Sequence, residues 1–112
     1  MALNATFQNL GARETSTVTG LTVKRALGTS SASGNSAQRT GVLLCNHDSS
    51  LFIFAKLVAA NAALPTISPT DHDYKVSPGA TLAIAAGAGI DVCIVNSSGG
   101  SSTAAYTALE LK

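Results

Sequence analysis

The sequence predicts an all-β fold, either an antiparallel β-sandwich or a small barrel of about seven to eight strands with an extended N-terminal arm. Short runs rich in apolar and β-branched residues recur at near-regular spacing along the chain. Turns rich in Gly, Pro and Ser separate these runs, and no segment carries a convincing helical period. The length of 112 residues suits one domain, so residues 1–112 are expected to form a single β domain.

The first segment, residues 1–12, is predicted to be an extended arm. Leu3, Ala5 and Phe7 alternate there with polar neighbours, as in a short strand. Such an arm can pair either with its own subunit or with another one. Leu3, Phe7 and Leu10 are therefore the candidate assembly residues.

Residues 13–27 form the first predicted strand region, where threonine density favours a pleated conformation. In this region Leu21 and Val23 are expected on one face. Residues 28–38 contain nothing to bury, and their composition is that of a flexible surface loop. A loop of this length is either disordered or a contact loop, and the sequence leaves both open.

Two apolar runs in the middle of the chain predict a β-hairpin that anchors the core. Residues 41–45 and 51–55 are too short for core helices, and the polar residues 46–50 between them supply turn chemistry. Strand alternation divides the second run between two buried faces. One face carries Leu51, Ile53, Ala55 and Leu57, and the other carries Phe52 and Phe54.

Residues 58–68 are ambiguous, because their alanines permit a helical turn whereas Pro65 and Pro69 stop any long helix. Alternation returns in residues 71–77, and Pro78-Gly79 has the composition of a type II turn.

A second hairpin is predicted from residues 81–85 and 90–95, joined across residues 86–89. In its second strand, one face carries Ile90, Val92 and Ile94, and the other carries Asp91, Cys93 and Val95. Residues 96–102 form another flexible loop by composition. The last strand, residues 103–112, is expected to bury Leu109 and Leu111 and to expose Glu110 and Lys112.

The large apolar side chains of these strands are the expected core anchors: Leu44, Phe52, Phe54, Ile94 and Leu109. Cys45 and Cys93 both lie in apolar runs and are interpreted as buried free thiols. A disulfide would require their two strands to pair, which the sequence does not decide.

Charge is sparse, with 12% Asp, Glu, Lys and Arg and a net charge of +1. Neither nucleic acid nor an anionic membrane is therefore an expected partner. The longest apolar runs also fall short of the roughly 18 residues that span a bilayer.

No constellation indicates catalysis or a cofactor, so a non-enzymatic role is expected. The chain lacks a nucleophile elbow, and its Gly87-Ala88-Gly89 sequence precedes a strand where a phosphate site would need a helix. A small metal-dependent barrel enzyme that uses His47, His72 and neighbouring aspartates is the alternative from a different class. We expect no metal site, because His72 and the aspartates beside it point to opposite faces of a strand.

The segment that begins with Arg39, Gly41, Val42, Leu43, Leu44 and Asn46 resembles a recurrent pattern in small virion proteins of tailed double-stranded DNA bacteriophages. In that pattern a second apolar strand, a Pro-Gly turn, a strand, an Ala/Gly turn and a last apolar strand follow. Residues 51–57, 78–79, 81–85, 86–89 and 90–95 stand here in the same order. The resemblance covers about half the chain and departs at Leu82 and Ala83, where the pattern has an aromatic.

The resemblance implies a β-rich structural protein on the capsid exterior that is made in the host cytoplasm. The leading expectation is a capsid decoration or cement protein, a homotrimer that binds the major capsid protein where capsid subunits meet. The alternative is a tail or fibre-associated β module that binds a host glycan.

Overall fold

A computed structural model describes residues 10–28, 39–98 and 100–112, and for Leu10 its backbone alone. The predicted all-β class is confirmed, since these residues form eight strands in two antiparallel sheets and no helix. The strands are β1 (Leu10–Thr19), β2 (Lys24–Ala26), β3 (Gly41–Asn46), β4 (Ile53–Ala59), β5 (Tyr74–Val76), β6 (Thr81–Ile84), β7 (Ile90–Asn96) and β8 (Thr103–Leu111).

The two sheets have four strands each and form a small β-sandwich. Sheet A has the order β1-β8-β3-β6, and sheet B has the order β2-β7-β4-β5. The single strand region predicted for residues 13–27 is divided between the sheets. A turn in which Thr22 N–H donates to Thr19 O at 3.0 Å separates β1 from β2, with Gly20 at φ +50°. Leu21 is consequently exposed in this turn instead of lying in a strand.

Both predicted hairpins are wrong, because each connection crosses from sheet A to sheet B. Strand β3 pairs with β6 and β8, whereas β4 pairs with β5 and β7. Strand β6 likewise belongs to sheet A and its successor β7 to sheet B. The polar and glycine-containing turns between these strands were compatible with either connection, and the pairing is decided by strands distant in sequence.

Two buried asparagines hold the sheets together where strands end. Asn46 closes β3, and its Nδ2 donates to Leu51 O at 2.8 Å and to Val76 O of sheet B at 3.1 Å. Asn96 closes β7, and its Nδ2 donates to Val18 O of sheet A at 2.7 Å. Each side chain therefore satisfies a carbonyl in the opposite sheet, which explains why a polar residue is buried there.

The predicted faces of β4 and β7 are confirmed. Ile53 and Ala55 of β4 lie in the main core between the sheets, together with Val92 and Ile94 of β7. Phe54, Cys93 and Val95 face the other side of sheet B, where they form a second cluster with Ile67. The type II turn is also present, since Gly79 has φ +73° and Ala80 N–H donates to Ser77 O at 3.0 Å.

The second cluster is covered by residues 60–73, which contain no helical turn. Side-chain contacts attach residues 60–73 to sheet B at both ends of the segment. Asp91 is fully buried and accepts from Asn61 N–H at 3.1 Å and from Arg25 Nε at 2.9 Å. Asp73 accepts from Leu57 N–H at 2.9 Å, and the His72 ring lies 4.6 Å from that of Phe54.

The predicted orientation of the last strand is wrong. Ala104, Tyr106, Ala108 and Glu110 of β8 are buried, whereas Leu109 and Leu111 are half-buried on the outer face. The chain places Glu110 inside because Arg39 supplies a buried positive partner there, as described below.

Of the expected core anchors, Leu44 and Ile94 are fully buried and Phe54 is 4% exposed. Phe52 is half-buried against the second cluster, and Leu109 is half-buried on the outside of sheet A. Cys45 and Cys93 are free thiols in different sheets, and only Cys93 is fully buried.

Parts of the predicted arm and loops lie outside the described residues. These parts are residues 1–9, with the candidate assembly residues Leu3 and Phe7, most of the loop 28–38, and Gly99. Residues 10–12, the end of the predicted arm, belong to β1, where Leu10 pairs with Leu111 of β8.

Candidate assembly surface

The outward face of sheet A is a broad surface that the described residues leave uncovered. Residues 60–73 cover the outward face of sheet B, but no described segment covers sheet A in the same way. We call the outward-pointing residues of β1, β8, β3 and β6 the A face. Its strand residues are Arg13, Thr15, Thr17, Thr19, Thr103, Ala105, Thr107, Leu109, Leu111, Gly41, Leu43, Cys45, Thr81 and Ala83.

The A face is almost free of charge, because Arg13 is the one charged side chain among these strand residues. An apolar row crosses its centre, where Leu109 of β8 lies opposite Leu43 of β3. A hydroxyl-rich row lies beside it, and Thr15 and Thr107 share a hydrogen bond of 3.1 Å across β1 and β8. Small neutral side chains of this kind leave a flat surface that another protein can cover without burying unpaired charge.

A buried ion pair lies on the inner side of the same sheet. Arg39 Nε donates to Glu110 Oε2 at 2.8 Å, and both side chains are at most 1% exposed. Arg39 also donates to Ile90 O at 3.3 Å, and Ala12 N–H donates to Glu110 Oε1 at 3.4 Å. A side chain at Gly11 would collide with this carboxylate, since a Cβ there would lie 2.1 Å from Oε1. A larger residue at position 11 would therefore have to displace the Glu110 carboxylate from this position.

A second polar contact ties β1 to β8 and to the end of β2. The Tyr106 hydroxyl donates to Glu14 Oε1 at 2.5 Å, and Leu27 N–H donates to the same oxygen at 3.0 Å. The Lys24 ammonium lies 5.3 Å from the centre of the Tyr106 ring. Burial, reinforced by the hydrogen bond to Glu14, raises the pKa of the Tyr106 phenol well above its ordinary value.

This pKa shift predicts a loss of stability at high pH. In the unfolded chain the Tyr106 phenol ionises at about pH 10, whereas in the folded chain it stays protonated. The unfolding free energy therefore falls as the pH rises beyond about 10. Below that pH the contribution of Tyr106 is constant. Tyr106→Phe is expected to lower the unfolding free energy by about 1–2 kcal/mol at pH 7. It is also expected to reduce the further fall of the unfolding free energy above pH 10. Urea unfolding of both chains between pH 7 and 11 checks this, and equal slopes above pH 10 would contradict it.

The histidines and aspartates considered for a metal site have other partners. His47 Nε2 lies 2.8 Å from Thr107 Oγ1, and His72 Nδ1 lies 3.0 Å from Ser68 O. Asp71 pairs with Lys56 at 2.8 Å. Within residues 10–28, 39–98 and 100–112, no three His, Cys, Asp or Glu side chains gather as metal ligands would. The same ranges contain no helix with the length and hydrophobicity to cross a membrane.

Several of these buried polar contacts have no signal in the sequence pattern. The sequence pattern places Glu110 at the surface, Asn46 in a polar turn and Asn96 in a flexible loop. It assigns no contact to Glu14 or Tyr106. The burial of a charge depends on a partner 71 positions away in the chain, which a local pattern does not contain. Comparisons with protein-family models, curated proteins and solved structures find no match for this chain.

Proposed function

We propose that the chain is a structural protein of a tailed-phage virion that decorates and cements the capsid by docking where capsid subunits meet. The A face carries this proposal, because it is broad, nearly neutral and uncovered by the described residues. A protein that docks repeatedly on a lattice needs such a surface, and binding there would cover the apolar row of Leu43 and Leu109. The resemblance of residues 39–46 to small virion proteins supports the same role.

The size of the A face suggests that it does not act alone. Strand spacing near 4.8 Å and a rise near 3.4 Å per residue give this four-stranded face a projected area of roughly 400–500 Å². Stable protein interfaces bury about 800 Å² on each partner. Neighbouring copies of the chain, brought together through the N-terminal arm with Leu3, Phe7 and Leu10, would add the remaining contact area. In this proposal the partners are the major capsid protein and further copies of the chain.

Copy number in purified virions tests the proposal. Quantitative mass spectrometry of particles from the phage that encodes the chain is expected to find hundreds of copies, removable without loss of the tail. A handful or tens of copies would instead identify the second candidate, a tail or fibre-associated module, and binding of a glycan array would support that candidate. Absence from purified virions would refute both.

Deletion of residues 1–10 is expected to weaken binding to capsids at least tenfold. The melting temperature of the dissociated chain, measured in dilute solution, is expected to change by only a few degrees. Within the described part of the chain, the deletion removes a single ladder pair, Leu10 with Leu111. Capsid co-sedimentation and thermal unfolding measure the two effects. A matched control is Arg13→Ala, which keeps the arm and removes the one charge of the A face. A large fall in melting temperature with unchanged capsid binding would contradict the prediction.

A further inference from the structure

The two free edges of sheet A are chemically different. Strand β1 forms one edge and β6 the other. The β1 edge is guarded, because the Lys24 ammonium donates to Ser16 Oγ at 2.6 Å and to the outward carbonyl of Thr17 at 3.2 Å. Lysine at an edge is a usual protection against unwanted strand pairing. Strand β6, with the sequence Thr-Leu-Ala-Ile, carries neither a charge nor a proline.

The hydrogen-bonding pattern leaves backbone groups of β6 pointing away from its own sheet. Asn46 N–H donates to Ala80 O at 2.9 Å, which places Ala80, Leu82 and Ile84 in the pairs that bond to β3. Because antiparallel ladders alternate, the N–H and C=O groups of Thr81 and Ala83 point to the free edge. Both residues are exposed. No other described strand pairs with this edge of β6.

The core is also incomplete at this edge. Leu82 points into the sandwich opposite the fully buried Leu44, yet it is only half-buried. A further strand beside β6 would cover Leu82 if its inward residues were apolar. Residues 1–9 have that pattern, because Leu3, Ala5 and Phe7 alternate with polar residues.

We propose that the free edge of β6 accepts residues 1–9 of a second copy of the chain as an added strand. Main-chain hydrogen bonds to Thr81 and Ala83 would hold the strand, and Leu3, Ala5 and Phe7 would cover Leu82. Strand addition to an exposed sheet edge is a common mode of peptide recognition. This inference concerns self-assembly and stands whether or not the chain is a virion protein.

The position of Leu10 explains why the donor is a second copy. Leu10 starts β1, at the edge of sheet A opposite β6. Three strand spacings, about 14 Å, separate the two edges, and nine extended residues span roughly 30 Å. If the arm paired with β6 of its own chain, about four of its residues would be needed to cross from β1 to β6. Phe7 would then lie in the crossing segment and could not pair with β6. Between chains the whole series from Leu3 to Phe7 can pair.

The contact is heterologous, because the arm end of one copy meets the opposite sheet edge of the next. Heterologous contacts repeat head to tail and close into rings when the rotation between copies allows it. A closed ring of three is the trimer that the resemblance to tailed-phage virion proteins implies.

A pair of proline substitutions tests the edge directly in the full-length chain. Ala83→Pro removes a free-edge N–H from β6 without removing a bond to β3. Thr17→Pro is the matched control, because it removes a free-edge N–H from β1, the opposite edge of the same sheet. Light scattering after size exclusion is expected to give three times the 11.2 kDa chain mass for the natural chain and for Thr17→Pro. Ala83→Pro is expected to be monomeric with an unchanged circular dichroism spectrum.

Amide hydrogen exchange of the natural chain provides a readout that does not depend on folding of a variant. The Thr81 and Ala83 amides are expected to exchange at least a hundredfold more slowly in the oligomer than in a dilute, dissociated sample. An oligomer that persists in folded Ala83→Pro would overturn the proposal. So would a monomeric natural chain, whether its two amides exchange quickly or are protected by its own arm. Virion composition does not enter either measurement, so failure here leaves the proposed function standing.

Discussion

Replacing Glu110 with alanine is expected to lower the unfolding free energy by about 3–5 kcal/mol, because it removes the carboxylate that neutralises the buried guanidinium of Arg39. The two groups meet at 2.8 Å with side chains that are at most 1% exposed. Urea denaturation of the natural chain and of Glu110→Ala, monitored by circular dichroism, measures the difference.

Two further variants distinguish the cost of leaving a buried charge unpaired from the cost of losing one contact. Asp71→Ala breaks the ion pair with Lys56, in which the Asp71 side chain is 57% exposed, so it is expected to cost less than about 1 kcal/mol. The double variant Arg39→Met, Glu110→Leu removes both buried charges and is expected to recover most of the stability lost in Glu110→Ala. Similar losses in Glu110→Ala and Asp71→Ala would show that burial does not govern the strength of the pair.

The same ion pair shows what a local sequence pattern omits. Alternation predicted the face of nearly every apolar residue in β4 and β7, because both faces of sheet B are covered and apolar side chains suit either one. In β8 the apolar character of Leu109 and Leu111 predicts that these two are buried and that Glu110 is exposed, which is the reverse of the observed orientation. The observed orientation follows from the ion pair between Glu110 and Arg39. Arg39 precedes β3 and lies 71 positions from Glu110 in the sequence.

Strand pairing escaped prediction for a related reason. Residues 46–50 have the composition of a hairpin turn, and Asp48 indeed accepts from Leu51 N–H at 2.6 Å and from Ser50 N–H at 2.8 Å. Those backbone bonds lower the pKa of the Asp48 carboxyl. The same turn nevertheless leads from sheet A to sheet B, because Asn46 bonds to Val76 in the opposite sheet. Turn chemistry thus predicted a reversal of direction but not the sheet that receives the next strand.

The candidate assembly surface was only partly accessible to sequence reasoning. The scarcity of charge indicated a protein whose surface is covered by neighbours, and the A face has that character among the described strands. Its position on sheet A depends on which face residues 60–73 cover, and the sequence of residues 58–68 leaves open whether they form a helical turn or a loop. Asp91 of β7 accepts from Asn61 N–H and from Arg25 of β2, which attaches the start of residues 60–73 to sheet B.

Replacing Phe54 with alanine is expected to cost about 3–5 kcal/mol, because the ring is 4% exposed and fills the second cluster. Phe52→Ala is the matched control, since Phe52 is half-buried and lies beneath the Lys75 ammonium at 4.3 Å; we expect a loss of about 1–2 kcal/mol. Denaturation midpoints measure both losses. An unchanged midpoint for Phe54→Ala would mean that the ring contributes to an interface and not to the fold.

The same substitution should loosen residues 60–73 locally, and the Cys93 thiol reports this. Cys93 is fully buried in the cluster with Phe54 and Ile67, and burial raises its pKa, so the natural chain protects it from thiol reagents. In a Cys45→Ser background, Phe54→Ala is expected to speed Cys93 modification at least tenfold more than Glu110→Ala does. Both variants lose similar global stability, but Glu110 lies outside the second cluster. Equal rates in the two variants would mean that Cys93 reacts through global unfolding, and that residues 60–73 open only when the whole sandwich does.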